Sequence, residues 1–410
     1  MNNTVIRRPD ILLPAAGIDL KKWAVVAVDQ YTSEPEYWQA VESEVQNAPS
    51  TYALVLPEIY LSQAAQRLPG VHDAMKTYLA EGILQPLKEN SYILTERITQ
   101  SGSRIGLMVC VDLEAYSYEK GANSLIRPTE GTVTERVPPR VAIRRGASIE
   151  LPHILMLLDD PQSGVIEPLY ADRAGLEKLY DTELMQGGGR LRGYLVDGAH
   201  ALKAEAALDA LYEGCKGFFL AMGDGNHSLA AAKAYWEEVK ATLSAEEREN
   251  HPARFALCEL VNLHSEAIQF EPIHRIVTGI EPAELLGAWE NYLQDRGYEI
   301  KPGDSLRIFG EGIARSYGFA EHPLGLLQAF LDDYLAGHPG AAIDYIHGDE
   351  TLRRLSMRPD ALGFMPCAFP KEELFPYIRR HGVLPRKTFS MGHACEKRYY
   401  FEARRIVGES

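Results

Sequence analysis

The chain has 410 residues, 46% of them hydrophobic, a formal net charge of -15 and a pI of about 5.3. That length allows two or three domains with substantial cores, and the acidity argues against the broad phosphate-neutralising surface that nucleic acid requires. The amino-terminal MNNTVIRRPDILLPAAG lacks the apolar core of a secretory signal and no later stretch has the apolar length of a membrane span, so a cytoplasmic protein without a membrane partner is expected.

In chain order, WAVVAVD reads as a buried strand, SEPEYWQAVESEVQ as a helix capped by Ser33, YALVLPE as a strand, and two helical stretches run to about Leu84. YILTERI and RIGLMVCVDL, spaced around SGS, predict a hairpin. Arg127–Gly146 changes character, with five arginines in an otherwise acidic protein, and Pro138-Pro139 interrupts any long helix there. HILMLLDD and GVIEPLY follow as strands, then a helix near Ala171–Tyr180, a glycine run at Gln186–Arg190, the strand LRGYLVD and the helix AHALKAEAALDALYEG. RFALCELVNL and AIQFEPIHRIV read as paired strands. The last part offers helices around Pro282–Tyr292, His322–Ala336 and Glu372–His381, with strands at AAIDYIH and LGFMPCAF. The alternation predicts an α/β protein of mixed α+β character, with a central mixed sheet, flanking helices and an α+β carboxy-terminal portion. The expected domains are 1–125, 126–280 carrying the central motif, and 281–410 packing on the central site. The five cysteines are scattered singly, which predicts neither a disulfide framework nor a zinc knuckle.

Four clusters carry chemistry. The first is FFLAMGDGNHSLAAAKAYWEE, a strand, a turn and a helix, whose turn holds Gly223, Asp224, Gly225, Asn226, His227 and Ser228. Amide groups and the positive end of a helix dipole converge at such a junction, and both glycines can take positive φ, so the turn suits phosphate or carboxylate. Asp224 beside a phosphate makes sense as a Mg2+ ligand or as the acceptor of a substrate proton, and His227 as a phosphate donor or proton shuttle. The second cluster is Arg127, Thr129, Glu130 and Thr132: a planar fork and two hydroxyls for an anion, with Glu130 as base or metal ligand. Thr132–Glu135 also fits a helix capping box. The third is Glu271–Arg275, where His274 and Arg275 could close over a ligand. The fourth is Pro385–Ser390, whose Arg386, Lys387 and Thr388 suit an anion. Asp159-Asp160 and Asp29-Gln30-Tyr31, at strand ends, are weaker candidates for the same pocket.

Taken together these landmarks make the chain similar, over nearly its whole length, to the domain of unknown function 1015 family. They are Asp224-Gly225-Asn226-His227 followed by an alanine-bearing helix, Thr129–Thr132 as Thr-Glu-Gly-Thr, Pro272–Arg275 as Pro-x-His-Arg, and Pro385–Thr388 as Pro-x-Lys-Thr. The central motif is also similar to the Gly-x-His-Arg phosphate-contacting turn of the ParB and sulfiredoxin superfamily, whose members bind nucleotides and include free-serine kinases. That resemblance implies a ParB/sulfiredoxin-like arrangement around the turn, with ATP or ADP and Mg2+ as cofactors. The sequence departs from it at Ser228, where those proteins carry arginine, so Arg127 or Lys387 would have to supply the missing cation.

The expected function is an enzyme that binds a nucleotide or other small anionic ligand and transfers a phosphoryl group to a small metabolite, an amino acid among the candidates, with Asp224, His227 and Glu130 catalytic. Two alternatives stand beside it: a metal-dependent hydrolase using Asp224, His227 and His274, and a non-catalytic sensor of an anionic metabolite.

Overall fold

A computed structural model describes residues 3–408, and the chain divides into two compact units, one of Met1–Ile268 with Gly392–Ser410 and one of Gln269–Met391. The class is mixed α/β, as expected, with a large mixed sheet and eleven α-helices among the described residues.

The first unit is built on a nine-stranded sheet. From one edge its strands are Ile126–Arg127, Leu220–Asp224, Leu155–Leu158, Phe255–Asn262, Gly102–Asp112, Tyr92–Thr99, Arg190–Val196 and Lys178–Glu183, with Ile6–Arg7 pairing on Gly102–Asp112. Two pairings are parallel, Leu220–Asp224 with Ile126–Arg127 and Phe255–Asn262 with Leu155–Leu158. The middle strands bury both faces, which is why FALCELVN is buried at every position and reads as a continuous apolar run rather than an alternation. Cys110 and Cys258 are core residues there. The expected hairpin forms, with Thr99 opposite Gly102.

Several predicted elements take another form. WAVVAVD is not a strand of the sheet: Trp23–Ala27 is a buried extended segment whose one bridge, Val26 to Arg398, joins it to the carboxy-terminal tail. YALVLPE becomes a short 3-10 turn, Thr51–Leu54, capped by Ser50. GVIEPLY is the helix Ile166–Ala171, whereas the region expected as the next helix ends in the strand Lys178–Glu183. These runs are short and apolar, and periodicity alone cannot separate a buried strand from a buried helix turn. The helix Pro35–Val45 starts at a proline without a side-chain cap, so Ser33 does not cap it.

The tail Gly392–Gly408 is threaded into this unit by inward-facing polar side chains two residues apart. Arg398 donates to the carbonyls of Ala24 (3.0 Å) and Cys395 (2.8 Å), and Tyr400 donates to Glu259, which Arg104 also meets at 2.9 Å. Glu402 accepts from Tyr180 at 2.6 Å, and Arg404 donates to Glu150 at 2.9 Å. Buried charge is tolerated only when paired in this way. Because the side chains of an extended segment alternate, Lys397 and Tyr399 face the other side.

The second unit has its own six-stranded antiparallel sheet, in the order Ile313–Gly318, Lys301–Gly310, Ala361–Pro366, Glu271–Thr278 and Ala342–His347, with Phe389–Ser390 pairing on Glu271–Thr278. Trp289, Leu285, Leu327, Phe330, Ile308 and Phe364 fill its core. The expected pairing of RFALCELVNL with AIQFEPIHRIV does not occur. Phe255–Asn262 is satisfied on both edges within the first unit, and Glu271–Thr278 is satisfied on both edges within the second. Among the described residues no helix is long and apolar enough to cross a membrane.

Candidate functional site

The turn stands where the strand Leu220–Asp224 gives way to the helix Asn226–Lys240. Gly225 is the N-cap residue, at φ 81° and ψ 26°, and no side chain caps the helix. A Cβ at Gly225 would lie 3.1 Å from the Cα of Ile154, so glycine is required both for the left-handed backbone and for space. Gly223, expected to share that freedom, is not among the positive-φ glycines. The Gly225 amide donates to Asp224 Oδ1 at 2.8 Å, which fixes the carboxylate beside the helix start. Asn226 Oδ1 is buried there without a hydrogen-bond partner.

Lys397 places its ammonium 3.1 Å from Asp224 Oδ2, each side chain retaining 24% and 31% of its exposure. Burial pulls the lysine pKa down, but Asp224, Asp29 and Glu130 together more than offset it and the net direction is up. The Asp29 carboxyl is pushed up by desolvation, yet His153, Gln30 and Lys397 outweigh this and hold it below the ordinary value. His153 accepts from or donates to Ser228 Oγ at 3.2 Å, stacks on Tyr399 with ring centroids 5.2 Å apart, and has its pKa lowered, mainly by burial. A cavity of about 150 Å³ opens at these groups, lined by Ser228, His153, Arg140, Tyr399, Val28 and Ile154 among others.

The second sequence cluster joins the first through strand pairing. Ile126–Arg127 runs parallel to Leu220–Asp224, with Arg127 opposite Ala221, so the chain leaving it carries Thr129, Glu130 and Thr132 toward the end of the strand where Asp224 stands. Thr129 is buried, Glu130 and Thr132 half-buried. Arg127 itself turns the other way: its guanidinium donates to the carbonyls of Ser124 (2.9 Å) and Gly217 (3.1 Å) and lies over Phe218, all before the strand begins. The Thr132–Glu135 capping box does not form, since the 3-10 turn Thr134–Arg136 has Val133 at its N-cap and the helix Val137–Arg145 follows directly.

The third and fourth clusters meet each other in the second unit. Pro272 pairs with Phe389, and the buried Arg275 donates to the carbonyls of Ile273 (2.5 Å) and Arg386 (3.0 Å). Arg386 donates to the Tyr345 hydroxyl at 3.2 Å, Thr388 Oγ1 to the Pro385 carbonyl at 2.6 Å, and Lys387 sits at φ 58°. His274 is buried and hydrogen-bonded to Asp349 at 2.9 Å, and burial leads in lowering its pKa.

Asp159 and Asp160 do not belong to the turn's pocket. Leu155 lies opposite Asp224 while Leu158 lies opposite Leu220, so the two aspartates fall at the far end of the antiparallel pair. There Asp160 accepts from the amides of Gly164 and Val165, and Asp159 pairs with His264 at 2.9 Å. The residues that sequence reasoning missed are Lys397, His153 and Tyr399. The first and last stood in the polar tail stretch GHACEKRYY, where nothing in the spacing singles them out; His153 opened a strand run and carried no motif. Among the described residues no three His, Cys, Asp or Glu side chains form a group able to hold a metal ion.

Known proteins compare as follows. A search of curated proteins found no match. Among solved structures, a free serine kinase variant in complex with ADP gives a TM-score of 0.37 at 13% identity, covering 68% of this chain and 85% of that one. A conserved hypothetical protein from Pyrococcus furiosus gives 0.34 at 12%, covering 68% and 88%. SbnI from Staphylococcus aureus gives 0.35 at 8%, covering 73% and 82%. Likenesses this loose carry no ligand and no reaction to this chain. A family model described as protein of unknown function (DUF1015) matches residues 12–334, the span that holds the Asp224–His227 turn, the Thr129–Thr132 stretch and the Pro272–Arg275 stretch, and the chain belongs to that family.

Proposed function

We propose that the protein binds the phosphates of a nucleotide, ATP or ADP with Mg2+, at the Gly223–Ser228 turn and transfers a phosphoryl group to a hydroxyl of a small metabolite. One observation carries this reading: a fifteen-residue helix begins at a left-handed glycine with no side-chain cap, and a lysine ammonium stands beside the adjoining carboxylate. The uncapped helix start offers amide donors and the positive dipole end to an anion. Lys397 answers the objection that Asp224 would repel a phosphate, because the pair presents no net negative charge.

Mg2+ is commonly held by one or two carboxylates together with the phosphates themselves, and in this reading Asp224 is the protein's carboxylate for it. When bound, the nucleotide supplies the phosphoryl group. Within the protein, Asp224 receives the proton of the acceptor hydroxyl, Lys397 neutralises charge that builds on the transferred group, and His227 contacts its oxygens. Thr129 and Thr132 lie on the segment that runs to the same end of the sheet and are proposed as further hydroxyl donors. His274, Arg386, Lys387 and Thr388 remain proposed ligand contacts of the second unit, with Arg275 holding the Arg386 carbonyl behind them.

The test is thermal. ATP or ADP with Mg2+ is expected to raise the melting temperature, by the equivalent of about 2.7 kcal/mol at a hundredfold excess over Kd. Lys397→Met removes that rise, and Asp224→Asn lowers transfer by about 10²-fold or more. Absence of a rise with any nucleotide overturns the proposal.

A further inference from the structure

Ser228 faces His153. Its Oγ is 3.2 Å from His153 Nε2, both side chains line the same cavity of about 150 Å³, and His153 Nδ1 is buried without a hydrogen-bond partner. We propose that Ser228 is an activated nucleophile, with His153 as its general base, that accepts a phosphoryl group as an enzyme-bound ester. The identity of the natural donor rests on the function proposed above; the nucleophile itself does not.

Three features fit the role. Ser228 is the third residue of the helix Asn226–Lys240, so negative charge growing on Oγ lies at the positive end of the dipole. Its hydroxyl is oriented by the imidazole it meets, and its own amide is taken up by the Gly225 carbonyl at 3.0 Å. His153 is held in place by Tyr399 on its face.

The groups around His153 come from every neighbouring segment. Burial lowers its pKa most; Asp29 and Asp224 raise it, while Lys397 and Arg140 lower it further. The net direction is down from 6.5, so the imidazole is neutral near pH 7 and able to take a proton. In the step, an Oγ lone pair forms the new O–P bond as the bond from phosphorus to the leaving oxygen breaks. The electron pair departs with that oxygen, ADP when ATP is the donor, and the Oγ proton passes to His153 Nε2. A hydrogen bond of purely structural purpose would show none of this reactivity.

Diisopropyl fluorophosphate tests the nucleophile without any nucleotide, since it brings its own phosphorus and loses fluoride. The full chain is expected to gain the mass of one diisopropylphosphoryl group, mapped by peptide mass spectrometry to Ser228 and abolished by Ser228→Ala. His153→Gln slows labelling by about 10²-fold at an unchanged melting temperature. In the unaltered protein the labelling rate rises with pH through a value below 6.5 and is level by neutrality, which keeps the test intact even where the variant does not fold. No adduct on Ser228 in the folded chain, or a rate indifferent to pH and to His153→Gln, overturns the proposal. Labelling in a protein that no nucleotide stabilises would retain the nucleophile and discard the phosphotransferase; a nucleotide shift without labelling would do the reverse.

Discussion

In the proposed phosphate site a carboxylate is a liability unless a cation answers it, and Lys397, 173 positions along the chain, stands 3.1 Å from Asp224. The cations that sequence reasoning favoured take other duties: Arg127 fastens its strand to the carbonyls of Ser124 and Gly217, and Arg275 ties a strand to the Arg386 carbonyl. An arginine fork serves an anion and a pair of carbonyls equally well, so residue type alone does not choose between them. Glycine is less ambiguous. Gly225 combines positive φ with a backbone neighbour 3.1 Å from any added Cβ, so Gly225→Ala should destabilise the first unit by about 1–3 kcal/mol. Urea unfolding at equilibrium measures this, and a cost indistinguishable from zero would show that the turn is free to rearrange.

At the scale of elements, what was legible followed from long periodic runs. The helix Asn226–Lys240, the helix Gly198–Gly214 and the hairpin Tyr92–Asp112 each have enough residues for the pattern to settle the type. Short, mainly apolar runs of seven residues did not: most of Gly164–Tyr170 became helix and Tyr52–Glu58 begins as a 3-10 turn, because neighbours already in place decided which backbone could be satisfied. The carboxy-terminal segment is the extreme case, with four inward polar side chains that look like a solvated tail until Glu150, Tyr180 and Glu259 are set against them. Glu402 makes a test. Burial is the leading cause that raises its pKa from 4.5 to about 7, against hydrogen bonds from Tyr180 and the backbone. A raised carboxylate holds its proton in the fold where the unfolded chain has lost it. Its contribution is therefore complete below pH 4.5 and falls away as pH rises to 7, by about 3 kcal/mol in all. Glu402→Gln keeps an acceptor for Tyr180 and should flatten this part of the stability profile, so that the variant is the more stable of the two at pH 8. Parallel profiles for the two proteins would refute the assignment.

For the whole molecule, the second unit is an insertion between Ile268 and Gly392, and the first unit is completed only by residues that follow it. A chain ending at Met391 loses Arg398, Tyr400, Glu402 and Arg404: Glu150 then keeps Arg144 but not Arg404, Glu259 keeps Arg104 but not Tyr400, and the core around both is opened to water. That truncation should leave the first unit unfolded by circular dichroism and by loss of its melting transition, whereas residues 269–391 expressed alone, with a core of their own around Trp289, should melt cooperatively. A native-like first unit in the truncated chain would show that the tail is dispensable.

The sequence by itself determined the α/β class, the strand, turn and helix at Gly223–Ser228, and membership of the family, because each of these is encoded in neighbouring residues or in short stretches kept in order. Only the tertiary structure decided which charged side chains meet. Strand pairing and the path of the tail bring Lys397 to Asp224 and His153 to Ser228 across 173 and 75 positions. No local rule specifies such encounters; they follow from burying each apolar face and satisfying each buried polar group at once.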